Sequence, residues 1–207
     1  FGLNLFPNVS DVIITNSGTA PDEQLDFYKE DEIPKLSFSG GFFVEYLLSP
    51  KSSIGIGLGY QNTGGKTKST QLIFASDIDP SIGFTNNSGT EVQFIYNHHN
   101  IEIPLYYKFN FTKKFYLLTG TSGIINIYNT TTTLIYTTDS PKERNIEEDT
   151  EGSYREFNLS TNIGFGYNYL NKENFLLFVQ PSFQYGIFGV TKNNPLNRNY
   201  FSIGIST

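Results

Sequence analysis

The chain contains no cysteine, no methionine and no tryptophan. Without cysteine there are no disulfides, no thiolate zinc sites and no thiol nucleophile. The absent methionine includes the initiating one, as expected if a signal peptide has been removed or the segment trimmed. Charge is scarce as well, at 16% of residues, against about 25% in soluble domains. Its balance is acidic, net −6, the wrong sign for a nucleic-acid face, so no nucleic-acid partner is expected. Long apolar runs are missing too. The longest, Phe175 to Val179, falls far short of the ~20 residues a membrane-spanning helix requires.

Aromatics are abundant instead: 19 Phe and 14 Tyr. A mean hydropathy of −0.29 reads as soluble, yet a transmembrane barrel alternates lipid-facing and interior residues, and the two cancel in any window. The 207 residues suit one domain, 1–207.

The clearest pattern is Phe157 to Tyr169. Phe157, Leu159, Thr161, Ile163, Phe165, Tyr167 and Tyr169 alternate with Asn158, Ser160, Asn162, Gly164, Gly166 and Asn168. A period of two separates these sets onto opposite faces of a strand. Thirteen alternating residues exceed the usual ~5–6 of a soluble strand and suit a tilted bilayer crossing of ~9–11. Tyrosines end the apolar face, as at a headgroup boundary.

Comparable stretches follow along the chain. A first strand shows only as a stub, Phe1 to Phe6, whose beginning is expected upstream, and a long polar loop is expected from Pro7 to Pro34. Further strands are predicted over Leu36 to Leu48, Ser53 to Thr63, Val92 to Phe111, Lys114 to Tyr136, Phe157 to Tyr169, Phe175 to Ile187 and around Phe201 to Ile205. The facing of Lys114 to Tyr136 is ambiguous near Gly120 and Gly123. Pro181 has no donor, so its strand needs a bulge or a gap in pairing there. Ser49 to Ser52, Thr112-Lys113 and Asn171 to Asn174 are short turns. Gly64 to Thr90, Thr137 to Ser153 and Thr191 to Arg198 complete the longer connections. Helix is scarcely signalled.

Eight strands joined alternately by long and short connections predict an all-β fold: an eight-stranded antiparallel transmembrane β-barrel with short periplasmic turns and long extracellular loops. Both termini then lie at the periplasmic side of a bacterial outer membrane. The same parity fits a soluble barrel with the Phe and Ile rows around a cavity, but strand length and tyrosine ends favour the membrane form. Leu159, Ile163, Phe165, Leu177, Val179 and Phe183 are predicted to face lipid. Tyr46, Tyr107, Phe109, Tyr167 and Tyr169 form a girdle beside the short turns; Tyr60, Tyr128 and Tyr154 are among those expected in an upper one.

The runs I-E-I-P-L-Y-Y-K-F (Ile101 to Phe109), K-F-Y-L-L-T-G (Lys114 to Gly120), N-I-G-F-G-Y (Asn162 to Tyr167) and F-S-I-G-I (Phe201 to Ile205) resemble the Bacteroidota-type outer-membrane β-barrel family, OmpA/OmpX-like and including the PorT-like proteins. The resemblance covers nearly the whole chain. It implies a barrel without a catalytic motif and, through the PorT-like members, an accessory role in a secretion or barrel-assembly complex. Such chains often end on an aromatic; this one stops at Ser206-Thr207.

Eight strands enclose a lumen just wide enough for side chains to fill it. A plugged lumen is therefore expected, with Glu45, Glu102 and Lys108 as an interior charge network. His98 and His99 point oppositely and cannot share a metal from one face. His99 lacks a same-face serine neighbour, which disfavours a lipid-modifying enzyme. No catalytic residue, metal or cofactor is expected. Acids gather in the long loops, including Asp11, Asp22, Glu30 and Glu32 in the first and Asp139, Glu147, Asp149 and Glu151 in the third. Solvated loops are the plain reading; calcium bridging them to each other or to anionic lipopolysaccharide is the alternative, although no D-x-D-x-D-G ligand loop is present. Two non-enzymatic roles stand: a structural or accessory subunit beside another outer-membrane protein, or a free-standing barrel whose loops bind a surface ligand. Lipid and lipopolysaccharide are partners in either.

Overall fold

The computed structural model describes residues 1–16, 18, 21–71, 78–79, 83–84, 90–137, 140–148, 154–172, 175–192 and 194–207. Eight long strands form its wall: β1 (Gly2–Asn16), β2 (Lys35–Ser49), β3 (Ser52–Thr63), β4 (Glu91–Asn110), β5 (Phe115–Thr137), β6 (Phe157–Lys172), β7 (Phe175–Gly186) and β8 (Leu196–Ser206). Each pairs antiparallel with its sequence neighbours, and β1 pairs β8 through Asn8↔Gly204 and Val9↔Ile203, which closes the ring. Closure leaves the wall with no free edge.

Parity decides which groups line the ring. On β6, Asn158, Ser160, Gly164, Gly166 and Asn168 are buried, while Phe157, Ile163, Phe165 and Tyr169 stand on the outer surface. The interior is therefore polar and the exterior apolar, opposite to a soluble barrel. On β5 the outward set is Phe115, Thr119, Thr121 and Ile125, and the inward set Tyr116, Leu118, Ser122 and Asn126. A bulge at Ile127 then shifts the parity, so Asn129 is buried. The register is unbroken through Gly120 and Gly123, so the facing that is ambiguous there in the sequence follows the same period up to Asn126, and the parity changes only at the bulge.

Pro181 leaves a local gap: β6 and β7 pair through Gly164↔Ser182 and resume at Tyr167↔Val179, with nothing between. The gap is where a residue without N–H was expected to interrupt the ladder.

Three expectations are corrected. The first strand is no stub, and Pro7 to Pro34 is not one loop. β1 runs to Asn16 because Asn8 and Ser10, polar in sequence, are buried groups inside the ring; Asp11 belongs to this strand. Helix is present after all: α1 (Asp22–Asp31) follows, with Asp22 and Glu23 in its first turn and Lys29 in its last, charges that match the helix dipole. The acidic connection after β5 contains a strand, Ser140–Glu148, which folds back on β5 from Thr130 onward. Asp139, Asp149, Glu151, Glu173 and Asn174 lie outside the described residues.

β4 and β5 outrun their neighbours. Beyond Asn97 and Thr130 they stay paired, Glu91 against Tyr136; Ser140–Glu148 extends this sheet on the β5 side and the short strands Lys66–Thr67 and Thr70–Gln71 on the β4 side, which makes a blade at the long-loop end.

Candidate functional site

Long amides set the centre of the lumen. Gln61 on β3 and Gln184 on β7 belong to strands on opposite sides of the eight-membered ring, and both side chains point inward. Gln61 Nε2 donates to Gln184 Oε1 at 2.8 Å; Gln184 Nε2 donates to Glu102 Oε1 at 2.8 Å and to Ser160 Oγ at 2.9 Å. This bar crosses the barrel and divides the lumen. Below it, toward the short turns, is a cavity of about 160 Å³; above it is one of about 50 Å³, and Gln184 lines both.

The lower chamber carries the expected charges, but not as one network. Lys108 Nζ lies 3.3 Å from Glu45 Oε1, and the Ser53 hydroxyl donates to the same carboxylate. Lys108 also sits 4.5 Å from the centre of the Tyr116 ring, a cation–π contact. Glu102 stands apart, held by Gln184 beneath the bar, with the Ser122 hydroxyl beside it; Ser122 makes no bond of ordinary geometry. Glycine shapes these walls. A Cβ on Gly55 would overlap the Tyr106 ring, and one on Gly166 would overlap the Tyr116 ring.

The upper chamber is lined by His98, Asn100, Tyr154 and Tyr200. His98 Nδ1 and Asn129 Oδ1 are 2.7 Å apart, and Tyr154 and Tyr200 both place their rings 5.2 Å from the imidazole. Tyr154 is thus an interior group and not part of an upper girdle. His99 points outward, stacked on Tyr128 with ring centres 4.0 Å apart and hydrogen-bonded to the Tyr60 hydroxyl.

Loop residues cover the long-loop end. Arg198 lies under the Tyr28 ring of α1 at 4.8 Å, and its Nε is 3.0 Å from Glu32 Oε1. Arg198 Nε and Glu32 Oε2 themselves lack hydrogen-bond partners. Burial outweighs the charge and hydrogen bonding of Arg198 and holds the Glu32 carboxyl above its ordinary range. Lys35 Nζ donates to Asn62 Oδ1 at 2.8 Å, and Ser10 Oγ donates to the Gly64 carbonyl at 2.7 Å, the latter where Gly64 takes a positive φ of 144°.

On the outer surface, Ile163, Phe165, Leu177, Val179 and Phe183 are exposed and Leu159 is half-buried. Tyr46, Tyr107, Phe109 and Tyr169 are exposed beside the short turns, and half-buried Tyr167 packs its ring 5.0 Å from that of Phe115. Among the described residues no cluster of three or more His, Asp or Glu is placed to hold a metal. Sequence reading missed Gln61 and Gln184 because it singled out charges. The available signal was a long inward amide on each of two strands four places apart in the ring.

The profile of the outer membrane protein beta-barrel domain family matches residues 1–192. No curated protein matches the sequence. Among solved structures, Ail, the attachment invasion locus protein of Yersinia pestis, aligns over 99% of this chain and 97% of its own at 7% identity and a TM-score of 0.36. Neisserial surface protein A aligns over 100% and 95% at 10% identity and a TM-score of 0.41. Likeness at that level is too distant to bear on function.

Proposed function

We propose that this chain, which belongs to the outer membrane protein beta-barrel domain family, is a non-enzymatic, plugged barrel of the bacterial outer membrane that presents its blade to the outside. The observation that carries the proposal is the overrun of β4 and β5. A strand needs ~9–11 residues to cross a bilayer, whereas these have 20 and 23. The excess emerges at the long-loop end with the exposed residues Glu143 to Glu148 along its border. Placing that end outside puts the short turns and both termini at the periplasmic side. The Gln61–Gln184 bar favours display over permeation, and the described neighbours of His98 (Asn129, Tyr154, Tyr200) and His99 (Tyr60, Tyr128) include no serine or carboxylate.

Lipid and lipopolysaccharide are the proposed surroundings of the apolar wall, and the finer kinship to OmpA/OmpX-like and PorT-like barrels of the Bacteroidota is part of the proposal. The Ile101 to Phe109 and Lys114 to Gly120 motifs favour a second reading, an accessory subunit docked beside another outer-membrane protein.

Trypsin added to intact cells tests display. Cleavage at Arg144 is expected without permeabilisation; cleavage only after the membrane is opened refutes the orientation. Cross-linking on intact cells, followed by detergent pull-down and mass spectrometry, then separates the two roles. A partner lost on excision of residues 131–148 supports the blade as binder. A stoichiometric membrane partner retained after excision supports the accessory role. Altered lipid A on gene deletion would refute the non-enzymatic reading.

A further inference from the structure

We infer that the lower chamber is a binding site for a small organic ammonium ion, an apolar body of about one ring bearing a single amine. Three properties of the chamber converge on that class. The first is size: about 160 Å³ matches the ~150 Å³ cavity that accepts one benzene. The second is the wall, formed largely by Phe6, Phe43, Tyr106, Tyr116, Leu118 and Phe178. The third is an excess of acceptors. Glu102 faces the chamber, and among the described residues the ion pairs are Glu45–Lys108, Glu156–Lys192 and Glu32–Arg198, so Glu102 has none. Asn4 Oδ1 and Asn162 Oδ1, also on the chamber wall, have no hydrogen-bond partner.

Each competing class fails on one of these properties. Glu102 accepts one hydrogen bond, from Gln184, but has no cation to offset its buried charge, and a neutral hydrocarbon supplies neither a cation nor donors for Asn4 and Asn162. An anion meets Glu102 and Glu45 with repulsion, because Lys108 is already engaged. A bare inorganic cation satisfies the oxygens and leaves the aromatic wall wet. An ammonium supplies three donors and no acceptor, and its apolar body covers the rings. The Tyr116 ring already holds one ammonium, that of Lys108, so this wall accepts cations. Entry is from the short-turn end, where Leu176 is exposed and the Lys108 and Glu45 side chains keep 12% and 20% of their surface. The Gln61–Gln184 bar closes the other end, which makes the chamber a blind pocket.

The test is calorimetric titration of the detergent-solubilised full chain with benzylammonium chloride, with benzyl alcohol as the neutral isostere and ammonium chloride as the bare cation. Solubilised protein makes the result independent of which membrane face the chamber opens to. Saturable benzylammonium binding is expected, at least tenfold tighter than either control. It should weaken tenfold or more in Glu102→Gln and in Leu118→Trp, which fills the chamber and leaves the carboxylate intact. Heat-modifiable gel migration checks that each variant folds, and either folded variant suffices for the comparison. Absence of saturable binding, equal affinity for benzyl alcohol or ammonium, or unchanged binding in a folded variant overturns the inference.

Discussion

Replacing Gln184 with methionine keeps the bulk of the bar across the lumen and deletes its hydrogen bonds. Gln184 makes three: two with neutral partners, Gln61 and Ser160, and one with the Glu102 carboxylate. Neutral bonds contribute about 0.5–1.5 kcal/mol each and one to a charged group about 1.5–3 kcal/mol, a range of about 2.5–6 kcal/mol for the set. Water admitted from the two adjoining chambers re-solvates part of what is exposed, so a loss near the lower end, about 3 kcal/mol, is expected. Gln184→Ala removes the bulk as well and joins the chambers. Urea unfolding followed by far-UV circular dichroism reads the first effect, and single-channel recording in planar bilayers reads the second. Gln184→Met should unfold at lower urea and stay electrically closed; Gln184→Ala should be destabilised and show conductance steps. If Gln184→Met unfolds at the wild-type midpoint, the hydrogen bonds do not carry the bar, and the account of the lumen is wrong.

Breaking the Glu45–Lys108 pair from one side, as in Lys108→Met, leaves Glu45 part-buried with only Ser53 and should cost about 2–3 kcal/mol. The double variant with Glu45→Gln should recover part of that loss in the same unfolding assay. An arginine at Ile163, outward and near the middle of β6, should destabilise the barrel by about 2–4 kcal/mol in a bilayer; neutrality in folding assays with lipid vesicles would mean the Ile163 row does not meet hydrocarbon. Glu32 gives a pH effect of defined sign. Its carboxyl is held above the ordinary 4.5 by burial, with Asp11 and Asp31 adding to the rise and Arg198 opposing it. The folded state therefore binds this proton more tightly than the unfolded state, and stability rises as pH falls through the raised value toward 4.5. Thermal midpoints across that window should rise more for the wild type than for Glu32→Gln, and equal slopes would refute the assignment.

The plugged lumen and the blade divide the molecule into parts with different roles. Wall strands need only alternate, and their outer residues are mostly apolar side chains facing away from the ring. The lumen is specific, because each inward polar group must find a partner at a fixed height in the ring. The cover over Arg198 is built from α1 and Glu32, both in the first long connection.

Much of the wall was legible in the sequence because strand parity is local. Successive side chains alternate whatever the partner strand is, so the outward row through Ile163 and Phe165 and the inward positions of Glu45, Glu102 and Lys108 follow from counting by twos. The interruption at Pro181 is local too, a missing N–H. Three things were not legible. β1 beyond Phe6 looked like loop because Asn8, Ser10 and Asp11 are polar, and their polarity makes sense only once an interior exists for them. The bulge at Ile127 resets parity at a position no local period marks. The bar itself joins Gln61 to Gln184 across 123 positions, and only ring closure sets β3 opposite β7. Local alternation determined which side chains face inward; the closed tertiary ring decided which of them meet.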